Sequence, residues 1–100
     1  MKIYISGRIT GDRDYRKKFL DAGNRLKNAG HHPLSPVTPV SDCIDWQSAM
    51  RGALRTMMLS DGVALLPVWS ESKGAMIEAS LAHEVGIPVK PIEEWVNDKA

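Results

Sequence analysis

Glu78 is the residue on which chemistry could turn. Its neighbours at i−3, i+1 and i+4 are Ala75, Ala79 and Ala82, so the carboxylate stands on a face of small side chains. Such a group lies either at a solvent edge or beside a cavity. Beside a sugar-sized cavity it can attack an anomeric carbon or stabilise an oxocarbenium ion, the chemistry of glycosyl transfer and hydrolysis. Just ahead of it runs the loop Trp69-Ser70-Glu71-Ser72-Lys73-Gly74. Its hydroxyls and lysine, with the uncrowded amides of Gly74 and Ala75 at the start of a helix, make a fair anion site. Plain N-capping by Ser72 accounts for the same residues without a ligand. Trp69, directly before the loop, is suited to stacking on a base and equally to ordinary packing. A second loop, Gly7-Arg8-Ile9-Thr10-Gly11, offers glycines that let backbone approach a ligand and, in Arg8, a forked cation. It can also be read as a tight strand-to-helix turn with Arg8 in solvent. This loop matches neither the dinucleotide fingerprint nor the phosphate-loop lysine pattern, so neither a dinucleotide cofactor nor an NTPase is supported.

The elements that must position these loops alternate cleanly. Lys2 to Ser6 reads as a buried strand ended by Gly7. From Asp12, the apolar residues Tyr15, Phe19, Ala22, Leu26 and Ala29 recur at helical spacing, and Gly30 supplies the stop. His31 to Ser35 is a second strand, and Pro36 to Ile44 a loop. A second helix from about Asp45 carries Trp46, Met50, Ala53, Leu54, Met57 and Met58 on its apolar face. Gly62 to Pro67 is apolar throughout, as a central parallel strand should be. Ser72 or Gly74 opens a third helix ending at Gly86. Ile87 to Ile92 is the last strand, and Glu93 to Asn97 a terminal turn of helix. This alternation predicts an α/β flavodoxin-like (Rossmann-like) three-layer sandwich, its parallel sheet of four to five strands ordered 2-1-3-4. Ligands then sit where the winding reverses, outside the carboxyl ends of the first and third strands, so the two loops should face each other.

The chain has 100 residues, 43% hydrophobic and 25% charged, the composition of one ordinary domain over residues 1–100. Thirteen Lys and Arg against twelve Asp and Glu exclude a protein that wraps nucleic acid by bulk charge, so no nucleic-acid polymer is expected. One cysteine, Cys43, cannot pair internally, and with no basic neighbour it is a poor nucleophile. A reducing cytoplasm is its simplest home. No stretch has the length or apolarity of a signal or membrane segment. His31 and His32 point apart on a strand and lack partners at metal spacing, so they read as structural, and His83 reads as a surface residue. Met50, Met57 and Met58 read as core or a dimer face.

Tyr4-Ile5-Ser6-Gly7-Arg8-Ile9-Thr10-Gly11, Ser60-Asp61-Gly62-Val63-Ala64-Leu65-Leu66-Pro67 and Ser72-Lys73-Gly74-Ala75-Met76-Ile77-Glu78, with Ala82 and Gly86, together resemble the nucleoside 2-deoxyribosyltransferase superfamily. The resemblance is greatest to a small branch common in phages and prophages. It implies cleavage of the N-glycosidic bond of a deoxynucleoside or deoxynucleotide, with Glu78 as nucleophile and Tyr4 close to it. It implies no metal or organic cofactor, and an assembly that is a homodimer or larger. Ser72 falls where nucleotide hydrolases of the superfamily hold a phosphate, which tilts the substrate towards a 5′-monophosphate, and Arg8 adds charge. The reading of the two loops and the resemblance together make Gly7, Arg8, Ile9, Trp69, Ser70, Ser72, Gly74 and Ala75 the candidate substrate-binding residues. One departure matters. The superfamily's proton-handling Asp would fall eight residues before Asp61, where this chain has Ala53. Asp45, His32 and His31 are the candidates to replace it, or the step is absent, and Asp61 itself is expected to cap the strand entry or bond neighbouring backbone. A non-catalytic nucleotide-binding protein on the same scaffold is the alternative.

Overall fold

Strict alternation in the first strand sets up both halves of the core. In a computed structural model, which describes residues 1–37 and 44–97, β1 (Lys2–Ser6) sends Ile3 and Ile5 to one face and Tyr4 and Ser6 to the other. All four side chains are fully buried. Parallel partners flank it: β2 (His32–Leu34) on one side, and β3 (Gly62–Leu65) on the other, with β4 (Val89–Pro91) beyond. The sheet order is β2-β1-β3-β4, the α/β architecture and order expected from the alternation. Tyr4 pairs with Val63 and Ser6 with Leu65 in register, so β1 lies at the centre of the sheet.

Two helices cover each face. On the Ile3 and Ile5 face, α1 (Tyr15–Asn28) buries Phe19, Ala22 and Leu26, and α4 (Ile92–Asn97) buries Ile92 and Trp95. Trp95 is pinned through its indole N–H, which donates to the Val63 carbonyl at 2.8 Å. The Nε2–H of His31 donates to the Trp95 carbonyl at 3.1 Å. On the Tyr4 face lie α2 (Trp46–Met57), which buries Ala53 and Met57, and α3 (Lys73–Glu84), which buries Ala75, Glu78 and Ala82.

The elements are shorter at their ends than the apolar runs predict, and each shortening has a local cause. Asp12 accepts the Asp14 amide at 2.9 Å in a turn, which delays α1 to Tyr15. His31 donates its amide to Leu26 and so belongs to the end of α1 rather than to β2. β3 stops before Pro67, which has no N–H, and Val68 then takes a left-handed φ of 56°. Ile87 closes the end of α3 through Ala82, leaving β4 to begin at Val89. Much of the loop from Pro36 to Ile44, including Cys43, lies outside the described residues. Among the described residues, no helix is long and apolar enough to cross a membrane.

Candidate functional site

Two hydroxyls two residues apart on β1 and one carboxylate on α3 form the centre of the site. Glu78 is only 4% exposed. The Tyr4 hydroxyl donates to its Oε2 at 2.5 Å and the Ser6 hydroxyl to its Oε1 at 2.7 Å. Each carboxylate oxygen is thereby fixed by one hydroxyl. Burial pushes the Glu78 carboxyl above its ordinary value, and the two hydroxyl bonds pull it back part of the way. Burial, followed by the charge of Glu78, drives the Tyr4 phenol far upwards, so it stays protonated and remains a donor.

Glu78 opens into a cavity of about 860 Å³, within the range of small-molecule sites. The cavity lies beyond the carboxyl end of β1, enclosed by the segment that follows that strand, by Ser35 and Pro36 beyond β2, by α2 and by the start of α3. It is therefore displaced towards β2 from the expected place between the ends of β1 and β3. Gly7, Ile9, Ser72, Gly74 and Ala75 line it together with Glu78. Gly7 must be glycine, because a Cβ there would sit 2.9 Å from Leu66. The Ser72 oxygen caps α3 by accepting the Ala75 amide at 3.1 Å, so the capping and cavity-lining readings hold together. An oxygen that accepts in this way keeps its own O–H to donate. The wall opposite β1 is α2, which contributes Trp46, Ala49, Met50 and Ala53.

Three of the residues assigned from sequence lie elsewhere. Arg8 alternates away from Gly7 and Ile9 and lines a smaller groove against α1, with its Nε donating to the Thr10 carbonyl at 3.3 Å. Trp69 and Ser70 fall in a 3₁₀ turn, Trp69–Glu71. There Trp69 packs half-buried against the core on the Tyr4 face, and Ser70 is exposed. Neither lines the cavity. Ser6, conversely, has no role in the sequence reading, although its spacing of two from Tyr4 on a strand places both hydroxyls on one face.

The candidates for a proton donor also separate. Asp45 caps α2, accepting the Ser48 amide at 2.8 Å, and that bond holds its carboxyl below the ordinary range. His31 is tied to Trp95 on the opposite face, and His32 lies at the amino end of the sheet, paired with Lys2. None of the three lines the cavity. Asp61 accepts the Lys2 amide at 2.8 Å, the backbone bond expected of it. Ala53 does line the cavity, 8% exposed. Among the described residues, the carboxyls in the wall are Glu78 and Asp12, and Asp12 is held ionised chiefly by Lys18 at 2.8 Å. No group of three metal-ligating side chains occurs among the described residues.

With this geometry in hand, comparison with known proteins is informative. The chain matches the family model described as Domain of unknown function (DUF4406) over residues 1–91. Among solved structures it is similar to a 2-deoxyribosyltransferase from the psychrotolerant bacterium Bacillus psychrosaccharolyticus, characterised as a biocatalyst for nucleoside synthesis. The TM-score is 0.69 at 18% identity, covering 89% of this chain and 69% of that one. At that identity the likeness is one of fold. No curated protein matches the chain.

Proposed function

We propose that this chain, which belongs to the DUF4406 family, cleaves or transfers the N-glycosidic bond of a deoxynucleoside or its 5′-monophosphate through Glu78. One observation carries the reading: a buried carboxylate, each oxygen held by a hydroxyl, opens on a small-molecule cavity beyond the carboxyl end of β1. A Glu78 oxygen attacks the anomeric carbon as the bond from that carbon to the base nitrogen breaks. The bonding pair leaves with the base, which takes up a proton. Water then cleaves the sugar ester and restores Glu78, or a second base's nitrogen attacks and yields a new nucleoside. Tyr4 and Ser6 hold the carboxylate for attack and stabilise it again as it is released.

Ser72 and Glu78 are separated by about 9 Å along the axis of α3, a distance that a pentose and its 5′ carbon bridge. A 5′-phosphate then meets the Ser72 hydroxyl and the amides of Lys73 and Gly74, donors that the first turn of a helix leaves without intrahelical partners. The fold shared with a 2-deoxyribosyltransferase supports glycosyl transfer as the reaction class. Ala53 in the cavity wall favours a second reading, a nucleotide-binding protein that does not turn over.

Incubation with four deoxynucleosides and their monophosphates, with free base read by chromatography, separates the two. Base release that Glu78→Ala abolishes, with the fold intact, supports the enzyme. Binding without release supports the binding protein, and release that survives Glu78→Ala removes the proposed nucleophile.

A further inference from the structure

Of the three tryptophans, Trp95, in α4, is 2% exposed and Trp69 is half-buried against the core. Trp46 alone lines the cavity, and it is 41% exposed. It is the first residue of α2, on the face that continues through Ala49, Met50 and Ala53. Spacing of this kind is the inward stripe of an amphipathic helix. Here the stripe is buried only from Ala53 onward, and its first two turns overhang the cavity instead of the sheet. Met50 fills part of the gap, its sulfur close to where a Cβ on Gly74 would stand (3.4 Å). The indole is covered by an ammonium: Lys73 Nζ, reaching across from α3, lies 4.8 Å from the ring centroid. At an exposed site such a contact is weak, so it yields readily to a better partner for the ring face.

We propose that Trp46 is the aromatic platform of the cavity, on which a planar nucleobase stacks in place of the Lys73 ammonium. The proposal rests on the nucleoside reading above. It commits to a flat heteroaromatic ring because the indole presents a π-face and because the cavity is shared with a carboxylate placed for an anomeric carbon. A base joined to that carbon extends away from Glu78 towards the surrounding wall, and the platform stands in that wall on α2. Removal of the ammonium from the ring also frees a cation at the start of α3, beside Ser72, where a monophosphate would meet it. Deoxynucleosides should therefore depend on Trp46 and not on Lys73, whereas monophosphates should depend on both.

The test uses the full chain carrying Glu78→Gln, so that ligand persists, titrated with the four deoxynucleosides, their 5′-monophosphates and 2-deoxyribose 5-phosphate. Calorimetry gives affinity, and tryptophan emission reports contact with the ring. In this background, nucleosides should quench emission. Trp46→Leu should weaken nucleoside binding roughly ten-fold or more, within the range of base–aromatic stacking, and leave 2-deoxyribose 5-phosphate unaffected. Trp46→Phe should retain most of the affinity while the quench disappears. Lys73→Met should leave nucleosides bound as tightly or more tightly and weaken the monophosphates. Because Trp46 is 41% exposed and lies outside the buried core, all these variants should melt close to their parent, and Trp46→Phe keeps the comparison open if Trp46→Leu does not fold. Unchanged nucleoside affinity in Trp46→Leu would overturn the platform and leave the glycosyl-transfer reading intact. If no nucleoside or monophosphate binds the wild-type chain or the Glu78→Gln parent, that reading falls and takes the platform with it.

Discussion

Glu78 should lower the stability of the protein at neutral pH, and Glu78→Gln should restore it. The side chain is 4% exposed, its partners are the two hydroxyls of Tyr4 and Ser6, and among the described residues no Lys or Arg pairs with it. Burying a carboxylate costs several kcal/mol after relaxation, against about 1.5–3 kcal/mol returned by each hydrogen bond to the charge. Burial wins, because the carboxyl is raised from its ordinary 4.5 despite both bonds. The native state therefore holds a proton at pH values where the unfolded chain has lost it. Stability falls as pH rises from the ordinary carboxylate range through the raised value of Glu78, and the loss is complete above it.

Gln keeps the volume and a carbonyl for one hydroxyl, removes the charge, and leaves an N–H₂ to be met by the other hydroxyl. The net gain at pH 7 should be about 1 kcal/mol, equivalent to about 4–8 °C in Tm for a domain of this size. Melting curves of wild type and Glu78→Gln at pH 7 and at about pH 4, near or below the ordinary carboxylate value, measure it. The gain should be present at pH 7 and shrink towards nothing at the lower pH, while base release is lost at both. A variant less stable at pH 7, or one whose advantage is the same at both pH values, would refute the electrostatic account of the site.

Three further outcomes are expected. Ser6→Ala removes one of the two donors to Glu78, so the acid limb of the kcat/KM profile should move to higher pH. The rate at neutral pH should fall about ten-fold, as loss of a hydrogen bond to a charge implies, and an unmoved limb would reduce Ser6 to packing. Ala53→Asp places a carboxylate in the cavity wall and should raise release of ordinary bases towards 100-fold, the lower end of general-acid effects. Its melting curve must accompany the kinetics, because position 53 is buried. Val68, β-branched, 51% exposed and at a φ of 56°, should gain about 1 kcal/mol as Val68→Asn, a residue that tolerates the left-handed region. Urea unfolding measures this, and a loss would show that Val68 packing outweighs its backbone strain.

What could be read from the sequence followed period and chain order. The run of five residues in β1, the helical spacing from Tyr15 and the apolar run from Gly62 to Pro67 were enough to order the sheet, and the order pointed to the carboxyl end of β1, although the cavity there leans towards β2 and not β3. Errors arose where neighbours in sequence part company in space. Arg8 lies between two cavity-lining residues, but its side chain turns to the groove against α1 while Gly7 and Ile9 line the cavity. Trp69 adjoins the loop that ends in Ser72, yet a 3₁₀ turn rolls it onto the core. The depth to which α2 is buried leaves no mark on its apolar stripe, because Trp46 and Met57 look alike in a periodicity and differ only in what the sheet reaches. The role of Ser6 was legible, since Tyr-x-Ser on a buried strand aims two hydroxyls at one place. That inference required knowing that Glu78 stood opposite.

The division of labour within the site follows from these placements. Both groups that hold the Glu78 carboxylate project from β1, a central strand, paired on both sides and sealed by Ile3 and Ile5 on its other face. A shift of one residue in its register would send Tyr4 and Ser6 into the α1 and α4 core and bring Ile3 and Ile5 against a buried carboxylate. The packing that specifies the sheet therefore also fixes the carboxylate, the rigid support that the proposed attack on a single carbon demands. Recognition is carried differently. Trp46, Met50 and Ala53 all belong to α2, whose first two turns bear on the cavity rather than on the sheet. Under the proposed function, substitutions along that stripe should change which base is accepted, and how its proton is supplied, without disturbing the two hydroxyls on which Glu78 depends.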